Sequence, residues 1–359
     1  MSALTPADLI RPEIRALSPY HVPDATGMIK LDAMENPYGW PAELIDAWLA
    51  ALRTAPLNRY PDPHARRLQA RLHEAMAIPA GAALLLGNGS DELIQLLILA
   101  LAGSGRAVLA PEPSFVMYRL IATFVGMRYV AVPLRADDFG LDPAALMAAI
   151  DRHQPALIFL AYPNNPTGNR FAAQDIRQVL QATPGLVVVD EAYFPFADHS
   201  FLPDLPEFDN LLVLRTLSKM GLAGLRLGLL AGAPRWLDEF EKLRLPYNIN
   251  VLTQVSAEFA LVHQTVLLEQ ADRIRASRAA LFAALNALPG MTAFPSEANF
   301  ILVRVPAGQA NRLFESLREG GILVKNLSTT GGLLQDCLRV TVGTVEENQA
   351  FLAALAAAL

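Results

Sequence analysis

Short apolar runs alternate with stretches of helical period along most of the chain. The runs are of strand length, centred near residues 84, 107, 127, 157, 187 and 212. After the run at 84–86, for example, Leu93, Leu96, Leu97 and Ala100 mark one helical face. Such runs with helices between them predict an α/β architecture, a mostly parallel sheet flanked by helices. Farther on, helices are expected over 234–244 and 250–287. Strands at 298–304, 322–325 and 338–342 follow, with helices at 307–320 and 346–359, which together read as a smaller α+β unit.

Prolines at 6, 12, 19 and 23 interrupt any long helix near the start. The expected organisation is therefore an N-terminal arm over 1–34, a large domain over 35–245 and a small C-terminal domain over 246–359.

A formal net charge of -6 and a pI near 5.6 offer no footprint for nucleic acid or an anionic membrane. Cys337 is the single cysteine, which excludes an internal disulfide framework, and no histidine pair stands at metal-ligand spacing. No metal site is expected. The first residues mix acids and bases without a signal-peptide core, and no apolar stretch reaches spanning length, so a cytoplasmic protein is expected.

In parallel sheets ligands gather at the carboxyl ends of strands, and polar residues stand at several such ends here. The run at 211–214 delivers Ser218 and Lys219 into a glycine-rich turn that also carries Arg226. A lysine stripped of water there has a lowered pKa and a nucleophilic amine, although a lone lysine is more often a solvated loop residue. Asp190 ends the run at 186–189, where a buried carboxylate is costly without a cation. Gly87-Asn88-Gly89-Ser90-Asp91 joins a strand to a helix start and suits either a plain cap or a phosphate site. Phe115 follows a strand end and either stacks on a planar ring or enters the core. In Tyr162-Pro163-Asn164-Asn165-Pro166 the prolines hold the amide of Asn164 or of Asn165 in place. Tyr60 lies between prolines in a stiff loop, which either connects helices or presents the ring to a site outside its own unit. Tyr20 sits in the extended arm, and Arg339 on a strand interior needs an anionic partner.

A lysine, a buried aspartate, an asparagine, a tyrosine, a stacking aromatic and two phosphate-binding elements together match pyridoxal 5'-phosphate. The motifs LDAMENPYG, NRYPDP, GNGSDE, PSFVMY, YPNNPTGN, VVVDEAY, TLSKMGLAGLRLG, SEANFILVR and CLRVTVGT run in this order over essentially the whole chain. As a set the chain resembles the fold-type I pyridoxal-phosphate aminotransferases of the aspartate aminotransferase superfamily. Within them it is most similar to the histidinol-phosphate aminotransferases.

The resemblance implies a catalytic Lys219 joined to the cofactor, with Asp190 at the ring nitrogen and Asn165 and Tyr193 at the phenolic oxygen. It implies Phe115 on the ring face, where related enzymes often carry tyrosine. Ser90, Asp91, Ser218 and Arg226 would hold the phosphate, joined by Tyr60 from the partner of a homodimer with shared active sites. Tyr20, Asn36, Lys325 and Arg339 would face the substrates, an amino-phosphate and 2-oxoglutarate or glutamate. Lys325 stands where this group often has arginine. The implied reaction is transamination of histidinol phosphate. A phosphothreonine-type decarboxylase and an aromatic or broad-range aminotransferase are the alternatives. The same domain occurs in DNA-binding regulators, but no helix-turn-helix segment or basic patch supports that reading here.

Overall fold

The computed structural model of the protein describes residues 3–19 and 21–359. The arm opens with two one-turn helices, α1 (Pro6–Leu9) and α2 (Pro12–Arg15), each with a proline in its first turn, where a missing N–H costs nothing. Arg11, just before α2, donates to the carbonyl of Phe124 and so fastens the arm to the body. The strand β1 (Ile29–Lys30) follows, then α3 (Ala42–Leu52) and α4 (Arg66–Ala75). Pro41 stands at the N-cap of α3, just outside its first turn.

Next comes an alternation: β2 (Ala83–Gly87), α5 (Ser90–Ala100), β3 (Ala107–Glu112), α6 (Met117–Val125), β4 (Arg128–Pro133) and α7 (Pro143–His153). It continues through β5 (Leu157–Ala161), α8 (Ala173–Ala182), β6 (Leu186–Asp190), β7 (Leu211–Thr216) and β8 (Gly228–Gly232). These strands form one sheet in the order β2-β8-β7-β6-β5-β3-β4. All pair in parallel except β8, which is antiparallel to both neighbours. The sequence pattern did not predict β8 as a strand. Its GLLAG run lies directly behind the glycine-rich turn and reads as the turn's continuation.

Side chains alternate across the pleat into two cores. Ile158 and Leu160 of β5 enter one, while Leu157, Phe159 and Ala161 enter the other. A sheet covered on both faces needs apolar runs, as seen in all of β5 and in residues 186–189 of β6 and 211–214 of β7.

After β8 run α9 (Pro234–Glu241), α10 (Val251–Val262) and α11 (Gln264–Ala287). The second sheet comprises β9 (Thr292–Ala293), β10 (Phe300–Arg304), β12 (Lys325–Asn326) and β13 (Cys337–Thr341), in the antiparallel order β12-β13-β10-β9. Between its strands lie α12 (Ala310–Glu319) and β11 (Ile322–Leu323), which pairs in parallel with β1, and α13 (Val345–Ala358) closes the chain. Leu31 shares the small sheet's core.

We propose two units with the boundary inside α11 rather than at 246. Ala257, Ala260, Leu261 and Leu267 bury in the large sheet's core, and from Ala271 onward α11 buries in the small one's. Periodicity marks a helix but not the surface it packs on. No single helix among the described residues is long and apolar enough to cross a membrane. The α10–α11 pair matches in composition but is bent by 74°.

Candidate active site

The carboxyl ends of the parallel strands share one edge, and the amino end of antiparallel β8 comes to the same edge. Ser90 follows β2, Phe115 follows β3, Asn165 follows β5, Asp190 ends β6 and Lys219 follows β7. Arg226 precedes β8. These residues, with Asp91, Tyr193 and Ser218, line one cavity of about 110 Å³.

Lys219 leaves a short 3-10 turn that ends at Gly221, whose φ of +112° favours glycine. Its Nζ donates to the Ala33 carbonyl at 3.2 Å and lies 5.9 Å from the Tyr193 ring centre. Burial, and then the positive charge of Arg339, pulls its pKa down to about 8.

Asp190 and Glu191 point to opposite faces of the strand end. Glu191 is fully buried against Arg215, which donates Nε and Nη2 to it at 2.9 and 2.8 Å, a structural pair beneath the sheet. Asp190 turns into the cavity, where no cation among the described residues is bonded to it. Its Oδ2 accepts from the Tyr118 hydroxyl at 2.6 Å and its Oδ1 from the Ala192 amide at 3.1 Å. Burial pushes its pKa up to about 6 despite those two donors. Burial likewise raises the Tyr193 phenol, which therefore stays protonated.

Gly89 stands at the N-cap of α5, and the first-turn amides of such a helix end suit an anion. Arg226 Nη1 is 3.4 Å from Ser218 Oγ, and its Nη2 is 3.8 Å from Asp91. A Cβ on Gly89 would lie 2.6 Å from Arg226 Nη2, at the end of a side chain that can move, and the φ of +90° there favours glycine.

Of the two adjacent asparagines, Asn165 lines the cavity. Asn164 is spent on Thr167 of its own loop and on the loop behind β3, donating to Thr167 and the Pro113 carbonyl and accepting from Ser114. Asn165 Oδ1 accepts from Arg339 Nη1, and Arg339 Nη2 donates to the Asp32 carbonyl at 2.9 Å. Beside the first cavity lies a wider one of about 560 Å³, lined among others by Phe115, Asn165, Lys325 and Arg339.

Two expected residues stand outside both linings. Asn36 donates to the Met220 carbonyl and Gln270 and accepts from the Tyr38 amide, so its side chain props the turn beside Lys219. Tyr60 is 79% exposed and stacks on Tyr247 at 4.4 Å. Tyr20 lies outside the described residues. Sequence reasoning passed over Tyr118, Thr216 and Met34. Thr216 holds the Ser218 amide through its hydroxyl at 3.2 Å, and Met34 borders both cavities. No spacing in the sequence marks Tyr118, because Phe115 lies before α6 and the two share no helical face. No metal-holding group of histidine, cysteine or carboxylate residues occurs among the described residues.

The family described as "Aminotransferase class I and II" matches residues 26–355. A protein named histidinol-phosphate aminotransferase 2 from Nitrosococcus oceani is 59% identical over 351 residues, 98% of this chain and 97% of that protein. Histidinol-phosphate aminotransferase 1 of Ralstonia nicotianae is 56% identical over 356 residues, covering 98% and 94%. Among solved structures, the histidinol-phosphate aminotransferase of Sinorhizobium meliloti in complex with pyridoxal-5'-phosphate superposes with a TM-score of 0.85. It is 26% identical and covers 99% of this chain and 98% of that one.

Proposed function

The chain belongs to the class I and II aminotransferase family, whose cofactor here is pyridoxal 5'-phosphate, and from that premise we propose that it moves the amino group of histidinol phosphate to 2-oxoglutarate. The products are imidazole acetol phosphate and glutamate, a step of histidine biosynthesis. The observation that carries this reading is the meeting of Lys219 and Asp190 in one cavity, in a chain more than half identical to proteins named for that reaction.

The donor set fits the cofactor: one amine of lowered pKa, one buried carboxylate, an amide and a phenol in the same lining, and a cradle that a Cβ on Gly89 would fill. When bound, pyridoxal phosphate supplies an aldehyde that condenses with amines and a protonated ring that withdraws electrons from the substrate's α-carbon. Lys219 would hold the cofactor, and its free Nζ would take up and return a proton at the substrate's α-carbon as general base and acid. Asp190 keeps the ring nitrogen protonated. Asn165 and Tyr193 bind the phenolic oxygen, Phe115 covers the ring face, and Ser90, Asp91, Ser218 and Arg226 hold the phosphate.

Arg339 receives the carboxylate of 2-oxoglutarate or glutamate, and Lys325 joins it for the donor's phosphate. Both line the wider cavity, which suits a substrate reaching out from the cofactor. We place the enzyme in the cytoplasm as a homodimer. Exposed Tyr60 would reach the partner's cofactor phosphate, and Tyr20 and Asn36 are proposed for the substrate side, Asn36 through the turn it supports.

An absorbance half-reaction tests the reading. Histidinol phosphate alone should convert the yellow enzyme to the pyridoxamine form, and 2-oxoglutarate should restore it. Conversion by phenylalanine and not by histidinol phosphate would overturn the substrate. Carbon dioxide release from phosphothreonine, with no need for an oxo-acid, would overturn the reaction class.

A further inference from the structure

Resting on the reading of Asp190 as partner of the cofactor's ring nitrogen, we propose that Tyr118 is a positioning residue: its hydroxyl orients the Asp190 carboxylate while its ring braces Phe115. Tyr118 lies in the first turn of α6 and is wholly buried. Its ring stacks parallel on Phe159 of β5, with centroids 4.4 Å apart and planes 6° apart. It meets Phe115 edge to face at 5.5 Å and 87°. Packed on both sides, the ring holds its hydroxyl at a fixed point, 2.6 Å from Asp190 Oδ2. That separation suits a charge-assisted bond between a hydroxyl and a carboxylate.

The division of donors gives the interaction its consequence. Tyr118 takes Oδ2 and the Ala192 amide takes Oδ1, so the plane of the carboxylate is set from both ends. Burial raises the phenol's own pKa well above its ordinary value, so Tyr118 acts only as a donor. Without its hydroxyl, Asp190 keeps one donor, turns more freely and holds its proton to higher pH. The titratable and charged groups around it are Asp91 on α5, Glu191 just after β6, Tyr193 on the turn that follows, and Lys219 and Arg226 across the cavity. One buried tyrosine thus supports both the carboxylate and the aromatic face assigned to the cofactor.

The test measures pyridoxal phosphate affinity on the apoprotein by fluorescence titration across pH, with melting curves of each apo form. Tyr118→Phe keeps the ring and should melt close to the wild type. It should bind about tenfold more weakly, because a hydrogen bond to a charged group is lost. The acid-side midpoint of binding should move to higher pH. In an Asp190→Asn background the same substitution should change neither quantity.

Unchanged affinity and midpoint in Tyr118→Phe would reduce Tyr118 to packing and overturn the proposal. Unchanged affinity in Asp190→Asn would instead overturn the reading of Asp190 beneath it. Should Tyr118→Phe melt far below the wild type, Phe159→Leu loosens the stack while leaving the hydroxyl present. A severalfold loss of affinity there supports the positioning role, and no loss overturns it.

Discussion

Arg339 on β13 donates its Nη1 to the side-chain oxygen of Asn165, in the loop behind β5. A strand of the small sheet and a loop of the large one therefore meet inside the site. The same guanidinium reaches the Asp32 carbonyl with Nη2 and lies 5.3 Å from the Phe300 ring centre. A planar fork can hold these partners and still face a carboxylate, and an ammonium cannot reproduce that geometry.

Arg339→Lys should accordingly raise the KM for 2-oxoglutarate by about tenfold or more, the worth of a charge-assisted pair. The absorbance of the bound cofactor should stay as in the wild type. Steady-state kinetics at varied 2-oxoglutarate would decide it, and an unaltered KM would remove Arg339 from the substrate side.

Lys219 should capture cofactor with a pH dependence set by its lowered pKa. The neutral amine is the reactive form, so the rate of pyridoxal phosphate uptake by apoprotein should rise with pH and level off above about 8. Glu35 and Asp91 oppose the lowering, while Arg339 and Arg226 add to it, Arg339 more strongly. Arg339→Met should therefore move the midpoint upward, by less than burial contributes. Rapid-mixing absorbance measures it, and a rate flat from pH 6.5 to 9 would contradict the assignment.

Asp190 should cost the empty protein stability. Its folded pKa of about 6 lies above the ordinary 3.8, so between those values the folded chain binds more protons than the unfolded one. Stability then falls as pH rises from about 4 to about 6 and stays lower beyond, by on the order of 2–3 kcal/mol. Apo Asp190→Asn should melt a few degrees above the wild type at pH 7.5, with the gap closing near pH 4. Calorimetry on the two apo forms checks the sign. An Asn variant less stable at pH 7.5 would show that the carboxylate stabilises the empty site.

Strand ends made much of this cavity legible from the sequence. Ser90, Phe115, Asn165, Asp190 and Lys219 each follow or end an apolar run, and a parallel sheet brings such ends to one edge. What stayed hidden depends on orientation. Asn164 and Asn165 are chemically alike, and only their partners, Thr167 and Pro113 for the one and Arg339 for the other, decide that Asn164 is consumed and Asn165 faces inward. Asn36 reads as a polar turn residue until its bonds to Met220 and Gln270, more than 180 residues away, are seen. Tyr118 looks like one more apolar position on α6, because a sequence does not show that its hydroxyl ends against Asp190.

The cradle at the start of α5 depends on two glycines of unequal tolerance. A Cβ on Gly89 would meet the end of the Arg226 side chain, which can swing away, although its φ of +90° adds strain for any other residue. A Cβ on Gly228 would instead lie 2.6 Å from the Gly89 carbonyl carbon and the Ser90 amide nitrogen. Those are backbone atoms of the helix start itself, fixed by β2 on one side and α5 on the other. Relief requires β8 to move off β2, and the first amides of α5 are displaced. Overpacking of this kind costs about 1–3 kcal/mol. Gly228→Ala should therefore lower the melting temperature of the apoprotein and weaken pyridoxal phosphate binding by more than tenfold. Arg226→Ala should weaken binding while leaving the apo melting point nearly unchanged, since that side chain is half exposed. Paired melting and titration of the two variants separates a displaced cradle from a missing cation. Equal melting points with equal affinities would mean that β8 does not support the cradle.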